Sequence, residues 1–440
     1  VKGLEGARVV VLDDKVEEAL PVLYALASMG IAAAFFNPDH GVRSFPSEPL
    51  KGVRLAILDM DLVGGGADSK TKVSALMGAI NRILSPSNGP YSVLVWTMHP
   101  DLQEHFERAL FTSEQTPRPL SVLSIRKDEV GLDGELNADL LFDKVMESLS
   151  VFSPLVILES WERDCHKAAS DVLHSLSELV QPTTTDPGEW RRTWAEDSLQ
   201  VMKVLAEGEA GKTLKDDICL SSLYTALNPL FVDRLEVATT VTPPDPDLAI
   251  PVMKAGGALS SDRRARINTM VHLAHDQLQR ISAGNIYLFA VSDKAPTEIP
   301  SFNSVLADMA VNEPSPDLAT RFAQETRLVA IEISPRCDHA QKKLRSLRLV
   351  VGLLIPEGLR DHFKASNRDM SFLWELGPVY IDAGPLHGAY HLLLSARFQA
   401  NTALEALSHG EAFARLRTQA LSNLQFWVSF YTSRPAMSEL

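Results

Sequence analysis

Five side chains in the first 130 residues stand where α/β proteins do chemistry, at the ends of short apolar runs. ARVVVLDD places Asp13 and Asp14 after one run, and VRLAILDMD places Asp59 after a second. YSVLVWT closes a third at Thr97, and LSVLSIRK closes a fourth at Lys127. Three carboxylates brought together repel one another unless a cation sits among them. An all-oxygen set suits a hard ion, and Mg²⁺ takes one or two carboxylates together with phosphate oxygens and water. Asp13 and Asp14 are the natural ligands. Asp59, alone after its run, can serve both as a ligand and as a nucleophile, because carboxylates form acyl phosphates. The Lys127 ammonium and a metal would share the charge of an arriving phosphoryl group, and the Thr97 hydroxyl would donate to one of its oxygens. The chemistry this set implies is phosphoryl transfer.

The elements that must position these groups follow from the runs themselves. Each run is Val/Ile/Leu-rich and is followed by helical spacing, which predicts buried strands of a parallel sheet. Ligands in open α/β sheets collect at the carboxyl ends of such strands, so the five side chains are expected to meet in one crevice. An Asp at a strand end is also a common helix cap. The weight therefore rests on the five in order, not on any one.

In type and order these residues resemble the receiver domain of two-component response regulators, over roughly residues 1–150: an acidic pair after strand 1, an acceptor Asp after strand 3, Ser/Thr after strand 4 and Lys after strand 5. The resemblance implies a doubly wound five-stranded parallel sheet. It also implies phosphate transfer from a cognate histidine kinase to Asp59, with Mg²⁺ on Asp13, Asp14, Asp59 and the backbone carbonyl of Asp61. The chain departs from the family pattern at four places. MDLVGGGADS follows Asp59 in place of Met-Pro-Gly, Met98 follows Thr97 where a small residue is common, and Asp128 follows Lys127 in place of Pro. Ser124 stands where an aromatic usually reports phosphorylation to a partner. These departures touch the switching output more than phosphate acceptance. Within the family the chain is similar to the receiver proteins of bacterial anti-phage systems of the Detocs type, in which a receiver buffers or diverts phosphate.

Composition narrows the remaining classes. The chain has 440 residues, enough for two or three domains, with 45% hydrophobic and 22% charged residues, as in ordinary globular proteins. No stretch approaches the roughly 18 apolar residues of a membrane helix, and no secretory leader pattern opens the sequence. With 42 basic against 56 acidic residues the net charge is −14, which argues against a broad nucleic-acid-binding surface. The three cysteines, Cys165, Cys219 and Cys337, are dispersed and form neither a disulfide framework nor a CxxC site, consistent with a reducing cytoplasm.

Beyond the receiver-like segment, ELNADLLFDKVMESLSVF is predicted to close it as a helix. Residues 151–241 read as a helical connector, with apolar residues at helical spacing from Leu158 to Leu176 and helices over about 189–207 and 214–235. A helix leaving a receiver commonly dimerises, so a homodimer is expected by resemblance. His166 on the first helix invites a phosphotransfer reading, but an exposed polar-face histidine is the favoured account of it. TPPDPDLAIP marks the next boundary. Residues 250–440 carry strand-like runs (NIYLFAV, RLVAIEISP, LRLVVGLLIP, PVYIDAG, AYHLLLSARF) and a predicted helix over EAFARLRTQALSNLQFWVSFY, hence an α+β domain, whose CDHAQ segment resembles the strands of small SH3-like barrels.

The segment EISPRCDHAQKK sets Cys337, Asp338 and His339 after a strand, with Glu332 at the same strand end and His387 and His391 farther along. Together they suggest a second function: a receiver-gated hydrolase or nuclease in the C-terminal domain. Consecutive residues of an extended chain point apart, however, and a turn with a small buried thiol explains the same letters. EGEAGKT, residues 207–213, is not a phosphate loop, because Ala206 holds its first glycine position and a helix precedes it.

Overall fold

The computed structural model describes residues 7–63, 67–97, 102–127, 131–132, 135–136, 143, 153–210, 216–241, 249–275, 278–289, 298–340, 343–364, 372–383, 386–404 and 412–433. The chain divides into two compact units, Val1–His174 with Phe231–Ala255, and Ser175–Leu230 with Gly256–Leu440.

The first unit is built on five parallel strands, β1 (Val9–Leu12), β2 (Ala33–Phe36), β3 (Leu55–Leu58), β4 (Ser92–Thr97) and β5 (Ser121–Arg126), in the order β2-β1-β3-β4-β5. Helices α1 (Val16–Ser28), α2 (Ser69–Ile83) and α3 (Gln103–Thr112) connect them. The runs are apolar at successive positions because both faces of the sheet are covered. Val10, Leu12, Ala56, Leu58, Val93 and Val95 share a layer with Leu76 and Ile80 of α2 and Phe106 and Leu110 of α3. The alternate residues Val9, Val11, Leu55, Ile57, Leu94 and Trp96 share the other layer with Ala19, Val22 and Leu26 of α1. Each large aliphatic side chain fully buried this way contributes roughly 1.5–3 kcal/mol. This is the doubly wound α/β arrangement expected from the sequence.

A small antiparallel pair follows, β6 (Gly131–Leu132) with β7 (Glu135–Leu136). Glu135 and Leu136 belonged to the predicted closing helix; its remaining residues, Asp143 apart, lie outside the described residues. Three long helices come next, α4 (Ser153–Leu179), α5 (Pro187–Ala210) and α6 (Asp216–Val241), then α7 (Ala249–Lys254) and α8 (Ser261–His272). The start of α5 is set by its sequence: Asp186 accepts from the Glu189 backbone N–H at 2.7 Å, and Pro187 supplies the fixed φ of a first helical residue. The rejected phosphate-loop segment is helical through Ala210, and its last residues lie outside the described residues.

The second unit carries a seven-stranded antiparallel sheet that curls into a half-barrel. Its strands are β8 (Leu273–Ala274), β9 (Asn285–Phe289), β10 (Arg327–Glu332), β11 (Leu347–Pro356), β12 (Leu373–Ala383), β13 (Leu386–Thr402) and β14 (Ala412–Leu416), in the order β12-β13-β11-β10-β9-β14-β8. Helices α9 (Phe302–Met309), α10 (Pro316–Glu325), α11 (Arg336–Ala340) and α12 (Thr418–Thr432) accompany it, giving the expected α+β domain. Between Val350 and Gly352 the register with β13 jumps from Gln399 to Leu394. A Cβ on Gly352 would lie 2.1 Å from the Leu393 carbonyl oxygen, so glycine is required at this close approach. One expectation is corrected here. The predicted helix over 411–431 begins only at Thr418, and Ala412–Leu416 form β14 against β9. Ala414 and Leu416 are buried at strand period, and Leu416 N–H donates to the Gly284 carbonyl, so the ladder overrides local helical spacing.

Candidate functional site

In a 2-1-3-4-5 sheet the strand order reverses between β1 and β3, and the crevice lies at their carboxyl ends. Leu12 and Leu58 are paired across that junction. The next residue on each strand is an aspartate, and the Asp59 N–H still donates to the Leu12 carbonyl at 2.8 Å. Asp13 and Asp59 therefore leave the sheet side by side, at 1% and 3% exposure. With Asp14 they offer oxygens all within 4.8 Å of one another. On the neighbouring strands Thr97 is fully buried and pairs with Arg126, which places Lys127 immediately beyond it.

Lys127 is the cation that this crowding requires. Its Nζ lies 3.0 Å from Asp59 Oδ2 and 3.4 Å from Asp13 Oδ2, and it also binds the carboxylate of Glu18 on α1. Burial works against its charge, but Asp59, Glu18 and Asp13 together raise its pKa above the ordinary lysine value. Burial also pushes Asp13 up to about 6, against the lowering pull of the Lys15 backbone N–H and of Lys127, while Asp59 and Glu18 raise it further. Burial and the neighbouring Asp59 raise Asp14 as well. The cluster is thus short of positive charge even with Lys127 in place.

The donor set fits a hard divalent cation. It consists of oxygens alone, and Asp14 Oδ1 is buried without a hydrogen-bond partner. Asp61, expected to lend its carbonyl, donates its N–H to Asp59 Oδ1 at 3.2 Å, and its carboxylate takes an ion pair from the buried Lys72 at 2.8 Å.

The structure brings together Asp13, Asp14, Asp59 and Lys127, and sets Thr97 and Asp61 on the flanking strand end and loop. Met98, Asp128 and Gly64–Gly66 lie outside the described residues. Ser124 is half-buried within β5. Sequence reasoning missed Glu18, Lys72 and Asn37. Asn37 follows β2 and donates to the Asp14 carbonyl at 2.8 Å, which fixes the turn that carries the acid. The available signals were an Asn one residue past the apolar run AAAFF, which is not among the predicted strands, and an acid in the first turn of the helix after Asp14.

The second group of expected residues is scattered. His339 Nε2 lies 2.8 Å from Oε2 of the fully buried Glu332, because residues 336–340 form a helical turn rather than an extended stretch. His387 meets Asp382 at 3.1 Å, and His391 meets Glu375 at 2.8 Å. Each histidine has its own carboxylate. Among the described residues the Asp13, Asp14 and Asp59 group has metal-holding spacing, and no set built from these histidines does. Asp338 stands on the same turn, and the Cys337 side chain lies outside the described residues. His166 lies 2.6 Å from the Arg8 guanidinium, at the opposite end of β1 from the acidic site, since Arg8 precedes β1 and Asp13 follows it. Cys165 and Cys219 are free thiols.

Fold and site together define a doubly wound α/β domain with an acidic, lysine-countered cluster at its switch point. No protein-family model matches the chain, and no curated protein does. Among solved structures, the RcsB response regulator of Salmonella typhimurium, presented for its conformational dynamism in DNA interaction, aligns with 51% of this chain and 99% of its own at 15% identity. The TM-score is 0.20, too low to carry an argument about fold or function. Among the described residues no helix is long and apolar enough to cross a membrane.

Proposed function

We propose that this chain is a phosphoacceptor signalling protein in which Asp59 takes a phosphoryl group from a histidine kinase. The observation that carries the reading is the placement of Asp59 beside Asp13 and Asp14 at the switch point, with Lys127 Nζ 3.0 Å from its carboxylate. In the transfer, an Asp59 oxygen forms the new bond to phosphorus as the P–N bond of a phosphohistidine breaks. The bonding pair stays on the imidazole nitrogen, which takes a proton from solvent. Lys127 is positioned to accompany the negative charge as it moves onto the phosphoryl oxygens, and the Thr97 hydroxyl to donate to one of them. Asp13, Asp14, Asp59 and the Asp61 carbonyl would hold Mg²⁺, which when bound supplies further neutralisation of phosphoryl charge. Ser124 in place of a reporting aromatic favours a receiver that stores or diverts phosphate, as in the anti-phage systems it resembles, and α4 is the proposed dimer helix.

The test is phosphate incorporation from acetyl phosphate and from a partner kinase, on wild type and Asp59→Asn. Mg²⁺-dependent labelling lost in the variant supports the reading. No labelling under conditions that label a control receiver overturns it. A second reading, a receiver-gated enzyme in the other unit, draws on the buried Glu332 held against His339. It requires a hydrolase or nuclease activity that disappears in His339→Ala.

A further inference from the structure

The second unit contains a half-open cavity of about 1000 Å³ that neither proposed activity uses. It lies where α12 runs off the sheet. Leu421, Leu424 and Val428 of α12 share an apolar layer with Val350, Leu354 and Leu394. Two residues before Val350, on the same face of β11, stands Arg348, and across the ladder from Val350 and Arg348 stand Gln399 and Asn401. The helix faces them with Gln425, Ser429 and Thr432, which fall on one stripe at spacings of four and three. A helix covering this end of the sheet would need apolar pairs there. The chain has instead placed amides, hydroxyls and a guanidinium.

A second guanidinium, Arg336, enters from the turn after β10. One of its N–H groups donates to Thr418 Oγ1 at 2.9 Å, and among the described residues no carboxylate lines the cavity to take up the other donors of its fork. Gln425 is fixed by donating to the Ile333 carbonyl at 3.0 Å. The Thr432 hydroxyl donates to the Val428 and Ser429 carbonyls, so the acceptors at this end of α12 are partly satisfied within the helix. Among the described lining residues there are two cations, no carboxylate and no aromatic ring. In a chain of net charge −14 that is a local inversion of the average surface. Arginine forks match phosphate bidentately, and the volume sits at the upper end of the range for small-molecule sites.

We propose that this cavity binds a phosphorylated small molecule, a sugar phosphate or a nucleotide, with its phosphate on Arg336 and Arg348 and its hydroxyl or base edges on Gln399, Asn401 and Gln425. The experiment is isothermal titration of the full chain with ribose 5-phosphate and with ADP, in EDTA so that the acidic site holds no metal. Saturable binding of either ligand is expected, and which one binds distinguishes the two sources of the phosphate. Arg348→Ala is the deciding variant, because that side chain is exposed and Arg336 also holds Thr418. It should weaken binding about 10-fold or more, with an unchanged melting curve, while Asp59→Asn binds as wild type does. Absence of binding by both ligands at millimolar concentration, an unchanged Kd in Arg348→Ala, or loss of binding in Asp59→Asn overturns the assignment.

Discussion

Neutralising Asp13 should stabilise the metal-free protein, and should do so more at neutral than at acid pH. The carboxyl is 1% exposed, and its pKa rises from 3.8 to about 6, first because burial disfavours its charge. Keeping it ionised above pH 6 therefore costs the folded state about 3 kcal/mol. The folded chain binds this proton more tightly than the unfolded chain does, so stability rises as pH falls between about 6 and 4. At pH 5 roughly half of the cost is already relieved. Asp13→Asn removes the cost altogether while keeping an oxygen for the Lys15 N–H that Asp13 Oδ1 now accepts at 2.8 Å. In EDTA at pH 7.5 the variant should melt about 5 °C or more above wild type, since about 1 kcal/mol moves a unit of this size by roughly 2–4 °C. The gain should shrink by about half at pH 5. Added Mg²⁺ should raise the melting temperature of wild type at pH 7.5 and do little for the variant. Thermal melts at the two pH values, with and without the metal, make the check. A variant less stable than wild type at pH 7.5 in EDTA, or a gain equal at both pH values, would refute the reasoning that the acidic cluster is under electrostatic strain.

Lys127→Ala removes the cation lying 3.0 Å from Asp59 and should lower phosphate incorporation about 100-fold, measured by label transfer with Mg²⁺ saturating. Glu162→Gln weakens the bridges from Arg8 and Arg54 to α4, at 2.8 and 3.0 Å. These groups are partly exposed, so a loss of about 1 kcal/mol in urea unfolding is expected, with labelling of Asp59 unchanged. Gly352→Ala forces a Cβ to within 2.1 Å of the Leu393 carbonyl and should leave the second unit unfolded or protease-sensitive in limited digestion, at a cost above about 3 kcal/mol.

The parallel sheet was legible because burial on both faces leaves uninterrupted apolar runs, and the five chemical residues were legible because each stands at the end of such a run or just beyond it. Glu18 was not, because an acid in the first turn of a helix is also what the helix dipole favours. Nothing in the sequence separates Glu18 from Glu17 beside it; only the fold turns Glu18 toward Lys127. Lys72 was hidden for a related reason: lysine in a helix reads as solvent-facing until Asp61 is seen to neutralise it in the interior. In the second unit the strands were readable one by one, but their order was not. The pairing of β14 with β9 joins residues more than 120 positions apart, and that non-local ladder also turned five predicted helical residues into strand.

Arg8 precedes β1 and Arg54 precedes β3, and both bind Glu162 of α4. At their other ends the same two strands are followed directly by Asp13 and Asp59. Each strand is four residues long and fully apolar, so α4 is fastened at one end of the switch-point strands and the acidic cluster stands at the other. The two strands are buried in layers on both faces, which resist sliding. A charge change at Asp59 is therefore met first by the groups free to reorient around it. Lys127 is shared by three carboxylates, and Glu18 is shared by Lys127 and Lys15. A phosphoryl group on Asp59 would compete for Lys127, and each contact it took would leave Asp13 or Glu18 less well countered. Rearrangement should accordingly begin at the amino end of α1, where Lys15 and Glu18 sit, and not at the helix bound to the far end of the sheet.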